Sequence, residues 1–260
     1  MIRLTVYISL FLGLLGLPEQ LSAQAAKPRF RVLAMAEKGG GVHAPFVAAA
    51  RKWLQQEAQR QQFTVDYIEN TDAINAAFLD RYQLFIQLNY PPYNWTDTAK
   101  ATFTRYIQAG KIGWIGFHHA SLLGEFDGFT MWPWFSDFMG GIRYKDYIPT
   151  FSTATVRVEA RQHPCLKDVP ASFVVQNEEW YVYDKSPRPN VNVLASVDES
   201  TYTPDSAIKM GDHPVIWSNE RVKARNLYIF MGHHPDLFQN SAFTTIVHNA
   251  IDWASQKEAN

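Results

Sequence analysis

Two apolar runs that each end in a pair of histidines constrain this chain more than any other feature. Gly113–Phe117 leads into His118 and His119, and residues 227–232 lead into His233 and His234. Both runs are short, continuous and bounded by turn signals, as buried strands are. Strands apolar on both faces belong to parallel sheets covered by helices. In open α/β sheets the ligand crevice lies beyond the carboxyl ends of the strands, so the imidazoles can converge there on one site.

The flanking sequence agrees with that frame. Phe30–Ala36, Phe63–Ile68 and Leu84–Leu88 read as further strands. Between the first two, the glycines at 39–41 and Val42, His43, Ala44 and Pro45 form a turn into a helix, with proline in the first helical turn where its missing N–H costs nothing. Phe46, Ala49, Ala50, Trp53 and Leu54 then recur at helical spacing. Two prolines at Pro91 and Pro92 stop the third strand after Asn89. Thr96 caps a helix that closes at Gly110, and Asn240 or Ser241 caps a final helix whose apolar stripe runs from Phe243 to Ala254, with His248 on the solvent side. Strands alternating with helices predict an α/β fold: a mostly parallel sheet with helices on both faces, three-layered and flavodoxin-like. Between Gly140 and Pro214 only short β-type runs occur, at 153–158 and 191–197, so a β-rich insertion or sheet extension is expected there.

The chain of 260 residues is 47% hydrophobic and 19% charged, enough for one large domain, expected over 28–256. A net charge of −1 gives no electrostatic reason for a nucleic-acid or anionic-membrane partner. Arg3, the apolar run 4–17 and the small residues at 21–23 predict a cleavable signal peptide over 1–23 and an exported, periplasmic or secreted product. The run is shorter than the roughly 20 residues a membrane span needs, so no membrane association is expected after cleavage. Cys165 is the only cysteine, which excludes an intramolecular disulfide, and no local base activates it. His163 and His213, each before a proline, read as turn residues, and residues 39–41 lack the spacing of either nucleotide-phosphate fingerprint, so no nucleotide cofactor is expected.

These motifs resemble the ThuA-like (trehalose-utilisation) family, whose fold is similar to class I glutamine amidotransferases. The resemblance rests on the glycine turn with His43, Gly116-Phe-His-His-Ala-Ser121 with the downstream Trp132, Trp134, Gly140 and Gly141, Glu178-Glu-Trp-Tyr181, Pro214-Val-Ile-Trp217, residues 227–233, and the closing Ile251-Asp-Trp-Ala254. It spans nearly all of the mature chain. An amidotransferase needs a cysteine at the turn that His118 occupies, so glutaminase chemistry is excluded. Ser121 lies past that turn and lacks a nucleophile-elbow setting. The resemblance implies trehalose or 3-keto disaccharides as substrates, and hydrolysis or elimination at the glycosidic bond.

The candidate site follows. His43, His118 and His233 are expected to ligate a divalent metal such as zinc or manganese, with His118, Glu179 and His233 as catalytic groups and Glu179 as general base on a sugar. Asn89, His119, Trp132, Trp134, Trp180, Tyr181 and His234 are the expected substrate contacts, the aromatic rings offering a stacking face. Metal-free acid–base chemistry, a non-catalytic sugar-binding protein and a metal-dependent hydrolase of another small substrate remain open alternatives. Oligomeric state leaves no signal in the sequence.

Overall fold

The structure, a computed structural model, describes residues 27–36 and 41–256; the expected signal peptide and the glycines at 39 and 40 lie outside the described residues. β1 (Phe30–Ala36), β2 (Phe63–Ile68), β3 (Leu84–Leu88) and β4 (Gly113–Phe117) alternate with α1 (Ala44–Gln61), α2 (Ala76–Leu79) and α3 (Asp97–Gln108). The chain continues through α4 (Pro133–Phe138), β5 (Tyr144–Tyr147), β6 (Ser152–Val158), β7 (Ser172–Glu178), β8 (Tyr181–Tyr183), β9 (Asn192–Thr203), β10 (Pro214–Ser218), β11 (Asn226–Ile229) and α5 (Ser241–Ser255).

Nine strands form one sheet in the order β2-β1-β3-β4-β11-β10-β9-β6-β7. From β2 to β11 every pairing is parallel, and from β11 to β7 every pairing is antiparallel. The β-rich middle of the chain is thus an extension of the same sheet, and β5 and β8 form a separate two-stranded ribbon. Among the described residues no helix is long and apolar enough to cross a membrane.

β4 shows how sequence sets the layers. Its alternate residues point to opposite faces, and Trp114 meets Phe135 and Phe138 of α4 at ring distances of 5.8 and 5.1 Å. Phe117 meets Phe46 of α1 and Phe243 of α5 on the other face. The two glycines of the strand are close-packing positions. A Cβ on Gly116 would lie 2.1 Å from the Trp114 ring, and one on Gly113 would lie 1.9 Å from the Ala254 carbonyl of α5. Caps fall where the side chains dictate: Thr96 accepts from Ala99 N–H, and Asn240 accepts from Ala242 and Phe243 N–H. His248 is exposed on α5 as its position on the helix requires, but its Nδ1 also bonds Glu57, a buried carboxyl of α1, so it ties the two helices together.

Candidate metal centre

Four segments deliver the site. A single 3-10 turn, Gly41–His43, places His43 at the N-terminus of α1. β4 ends directly in His118, the chain runs from β11 through Phe230 to His233, and Glu179 fills the gap between β7 and β8. β1, β4 and β11 run parallel with only β3 between, so their carboxyl ends lie along one edge of the sheet. One donor atom from each of His43, His118, His233 and Glu179 lies within 4.8 Å of every other.

His118 is held in a conformation that L-residues avoid. Its φ of +38° makes a sharp elbow out of β4, a cost of order 1 to 3 kcal/mol that persists only where surroundings fix it. Ser121 Oγ and Tyr228 Oη both donate to the His118 carbonyl, and the Tyr183 hydroxyl donates to Ser121. Gly232 permits the approach of the next strand end, since a Cβ there would lie 2.7 Å from His118 Cβ. Ser121, fully buried within these bonds, is a support for the elbow.

Hydrogen-bond chemistry shows how the cluster could hold a cation. His118 Nδ1 lies 3.2 Å from the Phe230 carbonyl, which can only accept, and Nε2 lies 3.3 Å from Glu179 Oε2. Burial pushes His118 down to about 4, against the raising effect of the Glu179 hydrogen bond. A neutral imidazole has one N–H and cannot serve both neighbours. With Nε2–H on Glu179 the Nδ1 lone pair faces the Phe230 carbonyl, and with Nδ1–H on Phe230 the Nε2 lone pair faces the carboxylate; a cation between Nε2 and Glu179 would resolve the second arrangement, which matches the outer hydrogen bond of a metal-bound histidine. His43 Nε2 is 3.0 Å from His233 Nδ1, and these atoms are 3.9 and 3.5 Å from the same Glu179 oxygen. Burial alone would raise the Glu179 carboxyl, but hydrogen bonds from His118, His233 and His43 hold it well below the usual carboxylate range. Three imidazoles and one carboxylate, mostly buried, fit zinc or manganese.

Glu178 is the supporting group that the sequence concealed. It is fully buried and accepts the backbone N–H groups of Glu179, Gly232 and His233 at 3.1, 3.2 and 3.2 Å. It therefore fixes two ligand-bearing segments at once. Burial pushes its carboxyl up to about 8 against the opposing pull of these donors.

Several expected substrate contacts lie elsewhere. Trp180 is fully buried, donates Nε1–H to the Ser152 carbonyl and stacks on Phe230. Trp132 is buried among Trp95, Phe103 and Phe135, and Trp134 stacks on Phe138. These three rings fill apolar volume and offer no open face at the cluster. His234 accepts from Asp236 N–H and caps the 3-10 turn Pro235–Gln239 instead of facing the site.

The others do adjoin the centre. Tyr181 packs on His118 at 4.4 Å, and Asn89, at φ +51°, donates to the Gly232 carbonyl. The His119 ring lies 4.0 Å from that of His43. It bonds the Asn89 backbone, its Nδ1 is buried without a partner, and burial lowers its pKa well below the ordinary imidazole range. Phe151, half-exposed, covers His233 at 4.4 Å and carried no signal in the sequence.

Comparison with known proteins agrees with this architecture. A ThuA-like protein of Bacteroides uniformis ATCC 8492 is similar at 29% identity and a TM-score of 0.77, covering 94% of this chain and 97% of that one. A ThuA-like protein of Parabacteroides merdae ATCC 43184 is similar at 15% identity and a TM-score of 0.61, covering 88% and 91%. A protein described as part of a GMP synthase, from Thermoplasma acidophilum, shares the fold at 13% identity and a TM-score of 0.54, covering 86% and 94%. No curated protein matches the sequence. The ThuA family profile, described as trehalose utilisation, matches residues 31–254. With that match running from β1 to the end of α5 and including every residue of the His/Glu cluster, the chain belongs to the ThuA family.

Proposed function

We propose that this protein is an exported, metal-dependent enzyme acting on carbohydrate, with trehalose-like or 3-keto glycosides as substrates and hydrolysis or elimination at the glycosidic bond as the reaction. The observation that carries the reading is the convergence of His43, His118, His233 and Glu179, with His118 Nε2 3.3 Å from a Glu179 carboxylate oxygen and its Nδ1 on the Phe230 carbonyl. Family membership supports the substrate class, and the N-terminal apolar run supports export.

Bound there, a zinc or manganese ion would polarise a sugar oxygen and acidify a coordinated water. The four side chains would hold it. Glu179, already committed to three imidazoles, is assigned as a ligand and not as the proton-abstracting base of the sequence reading. His119 takes that place: it is outside the donor cluster, neutral at pH 7, and has an unpartnered nitrogen beside His43. Tyr181, whose phenol is pushed far up by burial and by the Glu179 charge, stays protonated and donates to Glu179.

The test is metal content of the mature protein, made without a histidine tag, beside His118→Ala and Glu179→Gln. Near-stoichiometric metal in the parent, its loss in both variants, and turnover of a 3-keto disaccharide by the loaded parent alone are expected. A parent that takes up neither zinc nor manganese refutes the reading.

A further inference from the structure

A series of aromatic rings leads away from the metal centre, and beyond Tyr181 it has no role in the chemistry assigned there. Tyr181, on His118, meets Tyr144 edge-on at 5.2 Å. Tyr144 meets Phe126 at 5.9 Å, Phe126 meets Tyr93 at 5.3 Å, and Tyr93 meets Phe129 at 5.9 Å. Exposure rises outward along the series. Tyr181 is buried, Tyr144, Phe126 and Tyr93 are half-buried, and Phe129 is 46% exposed.

The local sequence builds this arrangement. Asp127 and Gly128 both have positive φ, at +51° and +81°, and Phe129 N–H bonds the Phe126 carbonyl at 2.8 Å. That is the two-residue hairpin turn for which Asp-Gly is suited. Phe126 and Phe129 pair across it, so their side chains leave the same face, and Tyr93 lies against both. Gly124 leaves room for the Phe126 ring, whose edge would lie 2.8 Å from a Cβ there. A half-exposed cluster of three aromatic rings is a poor core and an expensive solvent surface, so its retention beside a polar site calls for a ligand.

The polar groups at its margin define the ligand's chemistry. Tyr93 Oη donates to Asp127 at 3.1 Å, and Arg143 pairs with Glu125 at 3.3 Å. The acids and the cation are paired with neighbours, so the surface offers flat apolar faces with hydrogen-bonding edges and no excess of positive charge. A pyranose, apolar on its ring face and polar around its rim, is complementary to that pattern; a phosphate or sulfate ester is not.

We propose that Tyr144, Phe126, Tyr93 and Phe129 form an outer carbohydrate subsite, which stacks a second sugar ring while the first lies at the metal centre. This inference rests on the carbohydrate reading of the metal centre and adds to it the place where the second ring of the substrate is held. The preference for a disaccharide or longer chain over a free monosaccharide resides in the Asp127–Gly128 hairpin.

The test is calorimetric titration of the metal-loaded protein with glucose, trehalose and maltotriose, for the parent, Phe129→Ala and Val174→Ala. Val174 is an exposed apolar residue on β7 outside the ring series, and thermal unfolding checks that each variant folds. The parent is expected to bind at least one of the two larger sugars more tightly than glucose. Phe129→Ala should reduce that preference by about five- to tenfold, the worth of one aromatic contact, and Val174→Ala should keep it. An unchanged preference in Phe129→Ala, or a parent that binds glucose as tightly as both larger sugars, overturns the subsite and leaves the carbohydrate reading standing. A loaded parent that binds none of the three sugars overturns the subsite, and with it the carbohydrate reading if a 3-keto disaccharide also fails to bind.

Discussion

Gly232→Ala is the perturbation through which packing meets the chemistry. The added Cβ would lie 2.7 Å from His118 Cβ and 3.0 Å from Asn89 Oδ1, where ordinary contact begins at 3.4 Å. His118 or the β11 end must therefore yield by about 0.7 Å. His118 cannot retreat freely, because its carbonyl is held by Ser121 and Tyr228 and its Nδ1 faces Phe230. Overpacking of this kind costs about 1 to 3 kcal/mol of stability. Coordination tolerates displacements of only about 0.2 Å, so the larger effect falls on the ion. Metal affinity should drop by about 10- to 100-fold, as when an outer-sphere partner of a ligand is lost. Competition with a chelator of known affinity, beside urea unfolding of the metal-free forms, measures the two effects separately. A variant with parental metal affinity and a stability loss of the expected size would refute the placement of His118 in the coordination sphere.

Two further outcomes follow from the titrations. His118, lowered to about 4 from an ordinary 6.5 by burial, binds its proton more readily unfolded than folded. In the metal-free protein this contribution should be present above pH 6.5 and fall by about 3 kcal/mol towards pH 4, while Glu178, pushed up to about 8 by burial, works in the opposite direction over the same window; the difference in denaturant midpoints between the parent and His118→Gln isolates it, and a difference that does not change with pH contradicts it. Cys165, buried and with its thiol pushed far up by burial, should resist a disulfide reagent in the native protein and react in urea; prompt native labelling would disprove its enclosure.

The parallel half of the sheet was legible because β1, β3 and β4 are continuous apolar runs, Pro45 marks the start of α1, and α3 and α5 carry the caps Thr96 and Asn240 that the sequence displays. Residues His43, His118 and His233 were legible because His118 follows β4 directly, His233 closes the apolar run that begins in β11, His43 stands in the turn between β1 and α1, and topology brings those strand ends together. Glu178 was not. Along β7, Phe173 and Val175 point inward, and a period of two places Asn177 inward next and Glu178 outward. Asn177 instead takes φ +51°, with a register shift against β6, and this irregularity turns Glu178 into the core. The tryptophans misled for the opposite reason. Composition says that rings are abundant, but only packing separates Trp132, Trp134 and Trp180, which fill apolar layers, from Tyr93, Phe126 and Phe129, which line a surface. The Asp127–Gly128 dipeptide was the visible clue to the latter.

The position of β11 also decides when the protein can exist at all. Among the described residues it is the last strand in sequence, yet it lies at the junction of the parallel and antiparallel halves, between β4 and β10. A nascent chain ending before Asn226 holds two partial sheets with open edges and lacks His233, which meets its partner His43 across 190 positions of sequence. Such a chain keeps His43, His118 and Glu179 but not the fourth donor. The four donors therefore come together only after β11 is in place between β4 and β10.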